Sequence, residues 1–159
     1  ATYDHSCSNL VNRLSLEEVG DAIEKQLPDG YAEMIRENAQ ETEALTEDDL
    51  ICSVCRHSVC IAPSGKVFPC VGWTTNVIGD LNRQTLRDIW ENSEEIQKLR
   101  QIKRKQFPQC VTCQDRGYCK VCMMCNSNES LNGNAFQIND FRCKVAAMTH
   151  QKVDSFLCK

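Results

Sequence analysis

Cys110, Cys113, Cys119, Cys122 and Cys125 place five thiols within one short stretch of chain. Thiolates crowded this closely repel one another. A metal resolves the conflict, because the thiolate is the soft ligand that zinc and iron–sulfur clusters prefer. Two residues between cysteines let the backbone turn once and aim both sulfurs at one centre. An earlier block holds Cys52, Cys55, Cys60 and Cys70, and Cys143 follows later. The chemistry written into these spacings is metal binding.

Spacing leaves the metal open. Four Cys-x2-Cys pairs (52/55, 110/113, 119/122 and 122/125) suffice for two zinc sites. Zinc sites often recruit histidine, yet His57 is the one histidine among the blocks; His5 and His150 lie far along the chain. His57 reads as a surface residue beside a metal loop. An all-thiolate supply suits iron–sulfur slightly better.

The elements that must position these thiols can be read in part. Ser15-Leu-Glu-Glu18 is a capping-box pattern opening a helix that Pro28-Asp29-Gly30 should end. A second helix is expected over residues 31–38, and the acidic residues 41–49 read as a solvated linker. Pro63 and Gly65 suit the second and fourth positions of a β-turn. Ile61 before that turn, and Val67 with Phe68 after it, predict a short hairpin whose legs carry Cys60 and Cys70 to one end. Gly79 and Asp80 read as a chain break. Leu86, Ile89 and Trp90 have helical spacing, with Trp90 as a core anchor. Ser93 caps a further helix through Gln101, which Pro108 closes off from the second block. The basic cluster Lys98, Arg100, Lys103, Arg104 and Lys105 reads as a solvated face. Residues 126–134 read as a loop, and Cys143 belongs to a short final helix.

Composition narrows the class. The chain has 159 residues, 12 of them cysteine, and a formal charge of −4. That length suits one domain or a domain with a flanking piece. The start lacks the basic-then-apolar pattern of a signal peptide, so the thiols read as metal ligands of a cytoplasmic protein and not as a disulfide framework. No apolar run approaches the ~20 residues needed to cross a bilayer. Net acidity argues against nucleic acid as the partner. With 6% aromatic residues and a mean hydropathy of −0.43 the core is modest, and metal is the expected staple. The fold class expected is α+β: a short hairpin and several helices built around two metal clusters.

The order of these features resembles a known family. Cys52, Gly65-x4-Cys70, Cys110-x2-Cys113-x5-Cys119 and the late Cys143 follow the signature of the SPASM domain, the auxiliary-cluster domain of many radical S-adenosylmethionine enzymes. The segment from Gly79 through Leu86 to Trp90 is similar to the link between the halves of that signature. One departure is that Cys119 and Cys122 are separated by two residues where three are usual. Cys125, and either Cys55 or Cys60, are surplus.

The resemblance implies two auxiliary [4Fe–4S] clusters. The first would use Cys52, Cys70 and Cys122, with Cys55 or Cys60 completing or modifying the set. The second would use Cys110, Cys113, Cys119 and Cys143. Cys7 and Cys158 match nothing and are expected to be free, and Cys125 is expected to be a small buried side chain. Residues 1–49 would be a helical linker at the end of a radical S-adenosylmethionine domain, and 50–159 the auxiliary domain. That family's partner is a catalytic domain carrying Cys-x3-Cys-x2-Cys, a spacing absent from these residues; its substrates are mostly ribosomally made peptides or proteins. No catalytic acid, base or nucleophile is assignable. The reading is thus an electron-transfer and substrate-positioning unit, against a zinc-stabilised interaction module with no redox role.

Overall fold

The computed structural model describes residues 8–158, so the expectation for Cys7 falls outside the described residues. Among those residues are seven α-helices and one three-stranded antiparallel sheet, in the order α1, α2, β1, β2, β3, α3 to α7. The α+β class follows.

Helix α1 (Leu16–Gln26) starts as its sequence dictates. The Ser15 hydroxyl accepts from the Glu18 amide at 3.2 Å, and the Glu18 carboxylate accepts from the Ser15 amide at 2.8 Å. Helix α2 (Tyr31–Glu43) begins after Gly30, whose φ of 81° makes the tight corner that Pro28 starts. It runs one turn beyond expectation into the acidic stretch. That stretch is not a free linker. Asp48 pairs with Lys103 at 3.2 Å and Lys105 at 2.8 Å, and the Arg104 amide donates to the Asp49 carbonyl at 2.9 Å. The Ile51 amide donates to the Ile102 carbonyl at 3.1 Å. The acidic and basic runs therefore satisfy each other, where each in isolation reads as a solvated face.

The hairpin forms as expected. Strands β1 (Cys60–Ile61) and β2 (Lys66–Phe68) pair with Cys60 opposite Phe68, and the Gly65 amide donates to the Ala62 carbonyl at 2.9 Å across the turn. Gly79 and Asp80 do not break the chain. They form β3 (Gly79–Asp80), with Lys66 opposite Asp80 and an ion pair of 2.8 Å between them. Glycine is required there by closeness: a Cβ on Gly79 would lie 2.6 Å from Ile89 Cδ1.

Helix α3 (Leu86–Asn92) is capped by Thr85 and buries Ile89, not Trp90. Trp90 is half-buried, with the Arg100 guanidinium 4.4 Å from its ring centre; the tryptophan in the core is Trp73. Ser93 does cap a helix, α4, but that helix ends early (Glu94–Leu99). Pro108 opens the short α5 (Pro108–Val111) at its first position, where its missing N–H costs nothing. Residues 126–134 are helical in their first part, as α6 (Met123–Glu129). The final helix is long: α7 (Asp140–Leu157).

Two apolar clusters hold the elements. The larger gathers Val67, Trp73, Ile78, Ile89, Ile96, Phe107 and Met123 around the sheet, α3, α4 and α6. The smaller joins α1, α2 and α7 through Leu27, Ala32 and Val153, with Tyr118 packed against it. Tyr118 belongs to a 3-10 turn, Arg116–Tyr118, inside the second cysteine block. Through that turn the helical layer holds the second cysteine block from behind.

Candidate metal centre

The described thiols sort into two neighbourhoods. In the first, Cys70 has Cys122, Cys52, Cys125 and Cys60 as electrostatic neighbours, and Cys55 has Cys70 and Cys52. In the second, Cys110 is surrounded by Cys119, Cys143 and Cys113. These last four line one cavity of about 240 Å³, together with Arg104, Asp115 and Val121. Cys119 and Cys122, three positions apart, thus face different neighbourhoods.

Local structure explains the sorting. Cys55 adopts a left-handed φ of 55°, rare for a residue with a side chain, and this turn buries its sulfur against the Pro69 carbonyl at 3.7 Å. The hairpin returns Cys70 to the same place. Cys122 is the residue capping the start of α6, and Cys125 lies three positions on, so both sulfurs share one helix face. Cys110 ends up beside Cys113 because the Cys113 amide donates back to the Cys110 carbonyl at 3.4 Å. The 3-10 turn delivers Cys119, and the first turn of α7 delivers Cys143. His57 is exposed, as expected, and Cys158 is exposed as well.

Burial, and then the thiols acting on one another, raise the pKa values within each neighbourhood. Burial pushes the Cys55, Cys70 and Cys110 thiols up to about 11, and the neighbouring sulfurs add to the push. Desolvation likewise raises Cys119, Cys125, Cys52 and Cys143, although the last two are exposed residues. Among the described residues, no three His, Cys, Asp or Glu side chains converge on a single ion. A cubane gives each thiolate its own iron and accepts a wider spread than the ~2.3 Å zinc–sulfur bonds of a tetrahedral site. All-thiolate sets are the ligand chemistry that iron–sulfur clusters take.

Three arginines lie among the thiol-bearing segments, and only Arg142 contacts a sulfur. Arg100 donates from Nε to the Cys55 carbonyl at 2.7 Å. Arg104 is 7% exposed and lines the second cavity, so it is no part of a solvated face. Arg142 donates to Cys125 Sγ at 3.7 Å, and its Nε is buried without a partner in the protein. The only signal in the sequence was adjacency, with Arg142 next to Cys143. His150 also lies nearer than its position suggests. Its Nδ1 is 2.8 Å from Asp115 Oδ1, and Asp115 lines the second cavity.

With this geometry in view, the comparisons with known proteins are informative. The family model SPASM, an iron-sulfur cluster-binding domain, matches residues 52–126. A protein of Methanosarcina barkeri, "AdoMet-dependent heme synthase", is 39% identical over 70 residues, covering 42% of this chain and 18% of that protein. The chain therefore aligns with less than a fifth of that relative's length. No solved structure matches. Among the described residues, no helix is long and apolar enough to cross a membrane.

Proposed function

From the match of residues 52–126 to the SPASM model of iron–sulfur cluster-binding domains, we propose that this chain is the auxiliary-cluster portion of a radical S-adenosylmethionine enzyme. It carries two [4Fe–4S] clusters. One is held by Cys52, Cys70 and Cys122 with Cys55 or Cys60, and the other by Cys110, Cys113, Cys119 and Cys143. The observation that carries this reading is the division of the thiols, with Cys122 beside Cys70 and Cys52 while Cys143 joins Cys110 and Cys119.

The clusters supply one-electron chemistry at a potential tuned by burial and by hydrogen bonds to sulfur. The chain's own residues supply the thiolates, and Cys70 and Cys110 pack against the apolar core that contains Val67 and Met123. The partner is a catalytic domain, and the substrate class is a ribosomally made peptide or protein. The match to the heme synthase supports a second substrate reading, a tetrapyrrole. A mass change on a peptide, as against on a porphyrin, separates the two.

Iron and acid-labile sulfide analysis of protein prepared without oxygen tests the proposal. Eight irons and eight sulfides per chain are expected, with the brown charge-transfer absorption of thiolate-bound clusters. Two zinc ions without sulfide, from cells replete in iron, would overturn it in favour of a zinc-stabilised interaction module.

A further inference from the structure

A cleft of about 800 Å³ lies apart from the thiols, and no cysteine lines it. That volume is within the ~300–1,000 Å³ of ligand-binding pockets. Its apolar lining includes Trp73, Leu99 and Ile102, all three buried. Phe136 adds a half-exposed ring, stacked on buried Phe107 with centroids 5.3 Å apart. The loop that carries Phe136 is tied to α6. Asn126 donates to the Ala135 carbonyl at 3.0 Å, and Ser127 to the Gly133 carbonyl at 2.8 Å. The cleft is therefore shaped before any ligand enters.

Its polar lining is made of neutral amides held in one orientation. The Gln106 side-chain oxygen accepts from the Lys103 amide at 2.7 Å, and that of Asn134 from the Phe136 amide at 2.9 Å. The Asn132 oxygen accepts from the Asn134 amide at 3.3 Å. With each oxygen engaged, each NH2 group is left to donate, and none of the three does so within the described residues. Charge is balanced. Glu95 and Lys98 are the charged residues of the lining, and Lys98 is also countered by Glu94 at 3.7 Å. A ligand with several carboxylates, such as a tetrapyrrole, calls for an excess of arginine or lysine. Fixed neutral donors beside an apolar lining suit the carbonyls of a peptide backbone.

We propose that this cleft binds an extended, uncharged stretch of the peptide substrate, whose carbonyls accept from Gln106, Asn132 and Asn134. The proposal rests on the peptide reading above and deepens it. Its place in the chain fits that role. Trp73 follows Cys70 by three residues, and its amide donates to the Cys70 carbonyl at 3.2 Å. Ser127, also in the lining, follows Cys125 by two. A peptide held here is anchored on the segments that carry the first thiol set.

The test uses the full chain, loaded with iron and sulfide without oxygen. The probes are a phage-displayed library of random short peptides and a tetracarboxylate porphyrin. Peptides that the chain enriches are synthesised, labelled and titrated by fluorescence anisotropy. Asn134→Asp and Gln106→Glu keep the oxygen that holds the backbone and remove the spare donor. Each is expected to weaken peptide binding about tenfold, the worth of one or two neutral hydrogen bonds. Circular dichroism checks that the helices are kept, and either variant suffices. Lys98→Gln is expected to leave peptide binding unchanged. No enriched peptide, or enriched peptides indifferent to both substitutions, would overturn the proposal. Porphyrin binding that Lys98→Gln weakens would overturn it in favour of a tetrapyrrole. A dimer that Asn134→Asp dissociates would overturn it in favour of a second copy of the chain. If the cleft fails while the whole enzyme still changes a peptide's mass, this proposal falls and the peptide reading stands. Iron and sulfide counts on the same preparation judge the cluster reading separately.

Discussion

Gly117 lies between Cys113 and Cys119, two residues before the latter, where the second cysteine block touches α2. A Cβ there would stand 2.9 Å from the Ala39 carbonyl oxygen and 2.7 Å from Glu43 Oε1. The two obstacles differ in kind. The glutamate end can swing away, whereas the carbonyl belongs to a helix whose Ala32 and Ala39 are buried. Gly117→Ala therefore forces the 3-10 turn and α2 apart by several tenths of an ångström. Overpacking of this kind costs about 1–3 kcal/mol. That corresponds to a factor of about 5 to 150 in an equilibrium, and it is concentrated two residues from Cys119. The assay is iron release from the anaerobically loaded protein into a chelator, together with urea unfolding followed by circular dichroism. Faster release and a lower urea midpoint are expected, and the double variant Gly117→Ala, Glu43→Ala should not recover, since the carbonyl contact remains. Recovery in the double variant, or no effect in the single one, would refute the claim that α2 braces the second cysteine block.

Two further outcomes are expected. Cys122→Ala should remove or alter the EPR signal of one cluster and Cys143→Ala that of the other, in protein whose circular dichroism shows retained helices; perturbation of the same cluster by both would sink the crossed assignment. The isolated, reduced chain should form no 5′-deoxyadenosine from S-adenosylmethionine, because it has no Cys-x3-Cys-x2-Cys spacing; product above background by mass spectrometry would contradict the proposed division of labour.

Local rules made some of this architecture legible. The Ser15 capping box, the turn from Ala62 to Gly65 and the short hairpin around it depend on neighbours in sequence, and all three formed as expected. What escaped depended on partners far along the chain. Trp90 has the spacing of a core residue, but α3 presents Ile89 inward because Gly79 leaves room for it. Arg104 sits in a basic run, yet the backbone bond from its amide to Asp49 turns it inward. Asn126 and Ser127 look like loop residues. They are buried in α6 because Asn126 donates to the Ala135 carbonyl at 3.0 Å and Ser127 to that of Gly133 at 2.8 Å. The candidate ligands were visible as cysteines in a spaced pattern. The arginines around them were not, since nothing in a sequence distinguishes a guanidinium aimed at sulfur from one aimed at water.

The clasp of Asp48 with Lys103 and Lys105 bears on how the sites come into being. It closes a span of 55 residues between Asp48 and Lys103 using the polypeptide alone, just ahead of Cys52 at one end and of Cys110 at the other. The entropy of bringing those ends together grows only slowly with the length between them. Closing the span before iron arrives would spare cluster insertion most of that cost. The two cysteine blocks would then meet the incoming metal as half-built sockets on one template, and biogenesis would begin from a chain already folded back on itself.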